Sequence, residues 1–468
     1  MKSIEALLHK IMQAYELPGM AVGIMEGGEV TYQQHFGVSN ISTGAGLTHE
    51  SVFQLGSLSK VFVATAIMQL AEQGKIALDE KLVTYLPYLK TTDTRYSRIT
   101  IRQILSHTSG IPDVRNFEWN KPQYDDGAAR RYIDTLEHLP LLDEPGVLYH
   151  YSNRAYNVLA DVIHVCSGML FETYMRRHFF EPLEMPHSTF TVTDVPERLL
   201  VSPHTLAKNF VSKVRKVYPY NRIHAPSSTL YSNVPDMMHW MKANLDNGVW
   251  KDKALLQEDN YRRLMQPEVE TEQDTYMCLA WKLVKRNGYT MAVSLGGEPG
   301  FRAFMILLPE KKTGVFVCIN SDNFSAEQVA IPVLLMKLGY EVDPPKTPIH
   351  LPLGRTLMQS GFDAAVQAYH YLKKEAPGAY DFQDTHLIAL GFKLLYRARK
   401  CQDAQKIFRL CVMDYPDSWE AWYGLGESQS WADETEGAIS SYQRTLELNP
   451  SYDKAVQALR KLMEFKNA

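Results

Sequence analysis

Ser57 and Lys60 stand three residues apart in Gly56-Ser57-Leu58-Ser59-Lys60, at the head of an apolar stretch that ends at Gly74. On a helix that spacing puts both side chains on one face, a turn apart. Burial lowers the proton affinity of an amine, and a free amine beside a hydroxyl can take its proton. The unpaired N–H groups that open a helix can then stabilise an oxyanion. Such a pair predicts acyl transfer through a nucleophilic serine that needs no histidine. Val61, Phe62, Val63, Ala64, Ile67, Met68 and Leu70 make the helix apolar nearly all round, so it should lie inside its domain. Gly56 permits close backbone approach, and Gly74 closes the helix. Ser451 and Lys454 repeat the spacing, but in a polar stretch after Pro450 where nothing would desolvate the amine.

A phenol or hydroxyl should relay the proton to the leaving group. Tyr-Ser-Asn occurs at 151–153 and again at 231–233. The second copy precedes Val234, Pro235 and a helical run through Trp240, so Ser232 or Asn233 reads as a helix cap. The first follows the turn Glu144-Pro145-Gly146 and opens the helical run 155–165. It fits either a cap or a catalytic phenol, and spacing leaves both open. His107, in Leu105-Ser106-His107-Thr108-Ser109-Gly110, is read as a hydrogen-bonding group that holds a loop. Trp240 and Trp281 are candidates for a pocket wall.

Periodicity gives the elements that must position these residues. Ile4, Leu7, Leu8, Ile11 and Met12 predict a helix over 2–16. Met20–Met25 and Val30–Phe36 are β-rich runs joined by Glu26-Gly27-Gly28-Glu29, a hairpin. Helical signal broken by proline and glycine fills roughly 80–270. Four β-rich runs follow at 277–284, 289–295, 302–308 and 314–320, then a helix around 325–338. Strands at both ends with helices between predict an α+β fold. One antiparallel sheet would be flanked by terminal helices and interrupted by an all-α subdomain.

Residues 341–355 hold four prolines and mark a linker between a domain at 1–340 and another at 356–468. In the latter, Ala404, Phe408 and Pro416 recur as Ala438, Tyr442 and Pro450, each 34 residues later. With Trp422, Leu425 and Gly426 ahead of Ala438, this resembles the tetratricopeptide repeat. The stretch 361–369 would belong to a degenerate earlier unit and 451–463 to a capping helix. Such an all-α solenoid would dock a protein partner, self-associate, or merely cover a face of the first domain.

The 468 residues suit two or three domains, and 45% hydrophobic with 22% charged residues is the balance of a soluble globular protein. A net charge of −4 points to neither nucleic acid nor an anionic membrane surface. No stretch is long and apolar enough to predict a membrane span, and the N-terminus lacks an apolar segment of signal-peptide length. Five cysteines without CxxC spacing read as reduced thiols of a cytoplasmic protein. The histidines form no HxxxH or HExxH pattern, so neither a metal site nor a cofactor is expected.

The order of GSLSK at 56–60, LSHTSGI at 105–111, EPGVLYHYSN at 144–153 and GGEPGF at 296–301 resembles the serine β-lactamase-related superfamily. The nearest branch holds class C β-lactamases, low-molecular-mass penicillin-binding proteins, family VIII-type esterases and D-amino-acid peptidases. The resemblance implies a sheet packed on an all-α subdomain, with the site between them. It implies that Ser57 forms an acyl-enzyme, that Lys60 is its general base, and that Tyr151 shares the proton transfer. Asn153 would bond the substrate's acyl amide, and the N–H groups of Ser57 and Glu298 would form the oxyanion hole.

The family's Lys-Thr-Gly, or His-x-Gly, falls here on Leu295-Gly296-Gly297, which with Glu298 are expected to contact substrate. Lys312-Thr313-Gly314 and Ser321-Asp322-Asn323 mimic family motifs in the wrong order, and the first reads as a hairpin turn. Leucine cannot pair with a substrate carboxylate as a cation would. The expected substrates are therefore small neutral esters or amides, with weak β-lactam turnover. The alternative is a catalytically decayed scaffold that binds a protein partner through its repeats. Leu295 favours that alternative, and the intact Ser57, Lys60, Tyr151 and Asn153 oppose it.

Overall fold

The computed structural model describes residues 3–467, so the first residue of the helix predicted over 2–16 lies outside the described residues. The chain forms two compact units. The first runs through Thr205 and resumes over Lys213–Asp343; the second joins Leu206–Ser212 to the chain from Pro344 onward.

Among the described residues, nine strands make one antiparallel sheet in the first unit. In spatial order they are Val269–Glu272, Thr275–Met277, Lys282–Arg286, Tyr289–Glu298, Phe301–Leu308, Thr313–Ile319, Gly19–Glu26, Glu29–Asn40 and Ala45–Gly46. The early and late strands meet at the centre, where Met20 lies opposite Ile319. Glu26 and Glu29 face each other across a two-residue loop of Gly27 and Gly28, with φ of 60° and 86°. Two positive φ values in succession are what a twisted hairpin needs and what glycine supplies without strain. Lys312, φ 45°, turns Phe301–Leu308 into Thr313–Ile319, so the Lys-Thr-Gly there is turn chemistry.

The run at 277–284 is not one strand. Thr275–Met277 pairs with Lys282–Arg286 across a reversal at Ala280, φ 70°, where Cys278 N–H donates to Trp281 O at 2.8 Å. Cys278, Leu279 and Trp281 are wholly buried, so the apolar run serves a buried turn.

Alternation along the strands sorts side chains to two faces. Val293, Phe304, Ile306 and Val317 pack beneath the helices Ile4–Tyr15 and Glu327–Lys337. Ala292, Ala303, Met305 and Phe316 join the larger core on the opposite face, which includes helix Val234–Leu245 and the buried helix Ser59–Glu72. Asn233 caps Val234–Leu245 by accepting from Asp236 N–H at 2.9 Å, which gives the second Tyr-Ser-Asn its structural role. Trp240 stacks on Phe62 with centroids 3.8 Å apart, and both Trp240 and Trp281 are wholly buried. They are core residues rather than a pocket wall. All five cysteines are free thiols. Among the described residues, no single helix is long and apolar enough to cross a membrane.

The second unit is helical: His350–Ser360, Phe362–Glu375, Asp384–Phe392, Cys401–Asp414, Trp419–Trp431, Thr435–Leu448 and Asp453–Asn467. Ala404 and Phe408, like their counterparts Ala438 and Tyr442, are buried. Gly424 leaves room for the Phe408 ring, since a Cβ there would lie 2.1 Å from it. The linker predicted at 341–355 ends early, because helix begins at His350. Pro352 sits in the first turn of that helix, where no backbone N–H is required. Phe210, from the stretch 206–212, is buried against Leu353 and Leu357, so the second unit is discontinuous in sequence.

Candidate active site

Ser57 lies immediately ahead of helix Ser59–Glu72, on a bend set by Gly56 at φ 56°. A Cβ on Gly56 would come 2.9 Å from Gly297 N, and one on Gly296 would come 1.8 Å from Leu55 O. The backbone that carries the serine therefore rests directly on strand Tyr289–Glu298. Ser59 is structural: its hydroxyl donates to Gly56 O at 2.6 Å and accepts from Leu230 N–H at 3.0 Å.

Lys60 is 3% exposed. Its Nζ lies 2.9 Å from Ser57 Oγ, 2.8 Å from Asn153 Oδ1 and 2.8 Å from Ser227 O. Asn153 Oδ1 and Ser227 O can only accept, so they take two N–H groups. An ammonium would donate in all three directions, whereas a neutral amine has two N–H groups and can turn its lone pair toward Ser57. Burial brings the Lys60 amine down to about 7, against the opposing pull of Glu298 and Asp113.

Tyr151 O–H donates to Ser57 Oγ at 2.7 Å from the other side. Burial holds its phenol well above the usual range, so it stays protonated. The Tyr151 ring packs on His107, centroids 4.4 Å apart. His107 Nδ1 accepts from Ser152 N–H at 3.1 Å, and burial keeps the imidazole well below its ordinary range. It is a positioning group, held neutral. Ser152 caps helix Asn153–Asn157 by accepting from Ala155 N–H at 3.0 Å. The first Tyr-Ser-Asn thus both caps a helix and brings a phenol to Ser57. Ser152 is extended, so the side chains on either side of it fall on one side of the chain, toward Ser57 and Lys60.

Two participants were not foreseen. Asp113 accepts from Asn153 N–H at 2.7 Å and from Asn153 Nδ2 at 3.1 Å, which turns Oδ1 toward Lys60. Its signal was only a carboxylate just past the LSHTSGI run. Ser227 contributes a backbone carbonyl, which no residue type could announce.

Residues 4–335 match the family model described as Beta-lactamase. The chain belongs to this family. Residues 420–452 match the tetratricopeptide repeat model. Protein flp of Staphylococcus aureus strain MW2 is 26% identical over 329 residues, 69% of this chain and 63% of its own length. The match therefore spans less than two thirds of that relative. Penicillin-binding protein 4 of Amycolatopsis lactamdurans is 28% identical over 311 residues, 63% of this chain and 78% of that protein. Among solved structures, the octameric penicillin-binding protein homologue of Pyrococcus abyssi shares the fold. Its TM-score is 0.66 at 22% identity, over 76% of this chain and 81% of that one. The penicillin-binding protein of Bacillus halodurans gives 0.62 at 25% identity, over 71% and 100%.

Within this Beta-lactamase-family unit, one expected contact moves. Leu295 pairs with Phe304 and lines the apolar cavity under Ile331 and Leu334, on the far face of the sheet. It is 56% exposed there. A strand alternates its faces, so Ser294, Gly296 and Glu298 turn toward the serine while Leu295 and Gly297 turn away. Gly297 still reaches the site through its backbone, beside Gly56. Leu295 thus faces away from Ser57, and the uncharged side chain on the site face is that of Ser294.

Glu298 was expected to contact substrate and to lend its backbone N–H to the oxyanion hole. Its side chain is 6% exposed on the site face, and burial pushes the carboxyl up to about 8.

Proposed function

We propose that the protein is a serine hydrolase that forms an acyl-enzyme at Ser57 and prefers small neutral esters or amides. The observation that carries this reading is Ser57 Oγ held between Lys60 Nζ at 2.9 Å and the Tyr151 hydroxyl at 2.7 Å. Ser57 Oγ attacks the substrate carbonyl while its proton passes to the lone pair of Lys60. The oxyanion takes the N–H groups of Ser57 and Glu298, whose segments touch at Gly56 and Gly297. Tyr151 hands a proton to the leaving group and is resupplied from Lys60. Water then reverses the sequence on the ester and frees Ser57.

The preference for neutral substrates rests on the site face of strand Tyr289–Glu298. Ser294 and Gly296 offer no cation there, and the carboxyl of Glu298 does not favour an anion. β-Lactams carrying a carboxylate would acylate Ser57 weakly. The missing cation favours the alternative, a decayed scaffold that binds a partner; the contacts that join Ser57, Lys60, Tyr151 and Asn153 oppose it. The repeats of the second unit, supported by the match at 420–452, would dock a protein partner.

A fluorophosphonate probe should label the wild type and not Ser57→Ala. Short-chain p-nitrophenyl esters should be hydrolysed more efficiently than a chromogenic cephalosporin. Absence of labelling sinks the hydrolase, and efficient cephalosporin turnover sinks the substrate preference.

A further inference from the structure

The far face of the sheet is only partly covered. Helix Glu327–Lys337 lies over strands Phe301–Leu308 and Thr313–Ile319, while the sheet runs on past it to Tyr289–Glu298 and Lys282–Arg286. Between those outer strands and the side of the helix is a cavity of about 450 Å³. Cavities of about 300–1,000 Å³ are the usual size for small ligands.

Alternation along the strands makes the floor of this slot apolar. Val284 lies opposite Met291, Val293 opposite Ile306, and Leu295 opposite Phe304. The helix supplies the wall through Ile331, Leu334 and Leu335. It is apolar nearly all round, so Ile331 and Leu335 remain only half-buried beside the buried Ala330 and Leu334. At the mouth, Leu295 and Tyr340 are large and exposed. Most of the lining is aliphatic, which suits a flexible alkyl chain. A stable protein contact would bury about 800 Å² on each side, far more than a slot of this volume offers.

The rim is charged. Lys282 and Arg286 lie two residues to either side of Val284 and share its face of the strand. Neither has an ion-pair partner among the described residues. Lys285, between them in sequence, turns to the other face and sits over the Tyr276 ring at 5.0 Å. Glu327 is the one carboxylate in the lining, so the two cations leave it net positive. An apolar slot edged by uncommitted cations is complementary to an anion that carries an aliphatic tail.

We propose that this slot binds a long-chain carboxylate, with its tail between the sheet and helix Glu327–Lys337 and its head drawn by Lys282 and Arg286. The site lies on the face of the sheet away from Ser57 and stands apart from the hydrolase reading.

The test is displacement of a dansyl-aminoundecanoate probe from the full chain by octanoate, decanoate and dodecanoate. Each added methylene should tighten binding about fourfold, so dodecanoate should act at roughly two-hundredfold lower concentration than octanoate. Val284→Trp fills the slot and should abolish binding, while a fluorophosphonate labels Ser57 at the wild-type rate. Lys282→Glu/Arg286→Glu should weaken dodecanoate about tenfold and leave dodecanol unaffected. This surface variant reads the same site should Val284→Trp fail to fold. Absence of displacement at millimolar dodecanoate overturns the proposal, and so does binding that survives both variants. Dodecanol that binds wild type as tightly as dodecanoate overturns the choice of an anion. A dimer found by sedimentation and lost in Val284→Trp, with no probe bound, makes the slot an interface between copies and overturns the proposal too.

Discussion

Asp113 grips Asn153 twice, accepting from its backbone N–H at 2.7 Å and from its side-chain amide at 3.1 Å. That grip decides which end of the Asn153 amide meets Lys60. The acceptor Oδ1 lies 2.8 Å from Nζ and takes one of its N–H groups. The orientation of the Lys60 amine is thus fixed through Asn153 by Asp113, which is not among its hydrogen-bond partners.

Asp113→Asn keeps Oδ1 for both Asn153 donors but removes the negative charge and the Oδ2 acceptor 3.3 Å from Asn153 Nδ2, so the amide is held less firmly toward Lys60. Hydrogen bonds to charged groups contribute about 1.5–3 kcal/mol, so kcat/KM should fall roughly tenfold to hundredfold. Steady-state ester hydrolysis measures the loss, and an unaltered thermal midpoint separates it from unfolding.

In the proposed mechanism Lys60 acts as the deprotonated amine, and burial brings it down to about 7. Below about pH 7 the free-amine fraction falls, so labelling of Ser57 should slow about tenfold per pH unit. Lys60→Arg cannot lose its proton in this range, and should label negligibly at every pH.

Tyr151→Phe keeps the ring that packs on His107 at 4.4 Å and removes the hydroxyl that meets Ser57. Acid–base groups typically contribute about 10²–10⁴-fold, so acylation by a p-nitrophenyl ester should slow by about a hundredfold or more. Stopped-flow release of nitrophenolate reads it, and a rate equal to wild type would remove Tyr151 from the mechanism.

Gly296→Ala puts a methyl group 1.8 Å from Leu55 O, where backbone faces backbone and neither can step aside. Overpacking of this kind costs about 1–3 kcal/mol. The urea midpoint should drop accordingly, and labelling should slow with it, because the strand that abuts Gly56 is pushed away.

Leu295→Lys introduces an amine on the far face of the sheet. Surface changes usually stay within about 0.5 kcal/mol, so ester and cephalosporin hydrolysis should both remain within about twofold of wild type. A large gain in cephalosporin turnover would return Leu295 to the substrate pocket.

Local patterns were legible in the sequence because they depend on neighbours along the chain. The three-residue step from Ser57 to Lys60 fixes a shared helix face, Gly27-Gly28 fixes a hairpin, and the 34-residue recurrence of Ala404 and Phe408 fixes a helical repeat. Tyr151 and Asn153 flank a capping serine, so their common side also follows from short-range geometry.

What only the tertiary structure decided lies across long separations. Asn153 reaches Lys60 over 93 residues, and the Ser227 carbonyl does so over 167. The face taken by Leu295 depends on the phase of a two-residue alternation against a helix far away in sequence, and a shift of one residue reverses it. Glu298 reads as an ordinary acidic residue until packing removes the water that would ionise it. Burial is set by all the elements that close around a group at once: the apolar run after Lys60 announces a buried amine, while no stretch of sequence near Glu298 could state the proton affinity of its carboxyl.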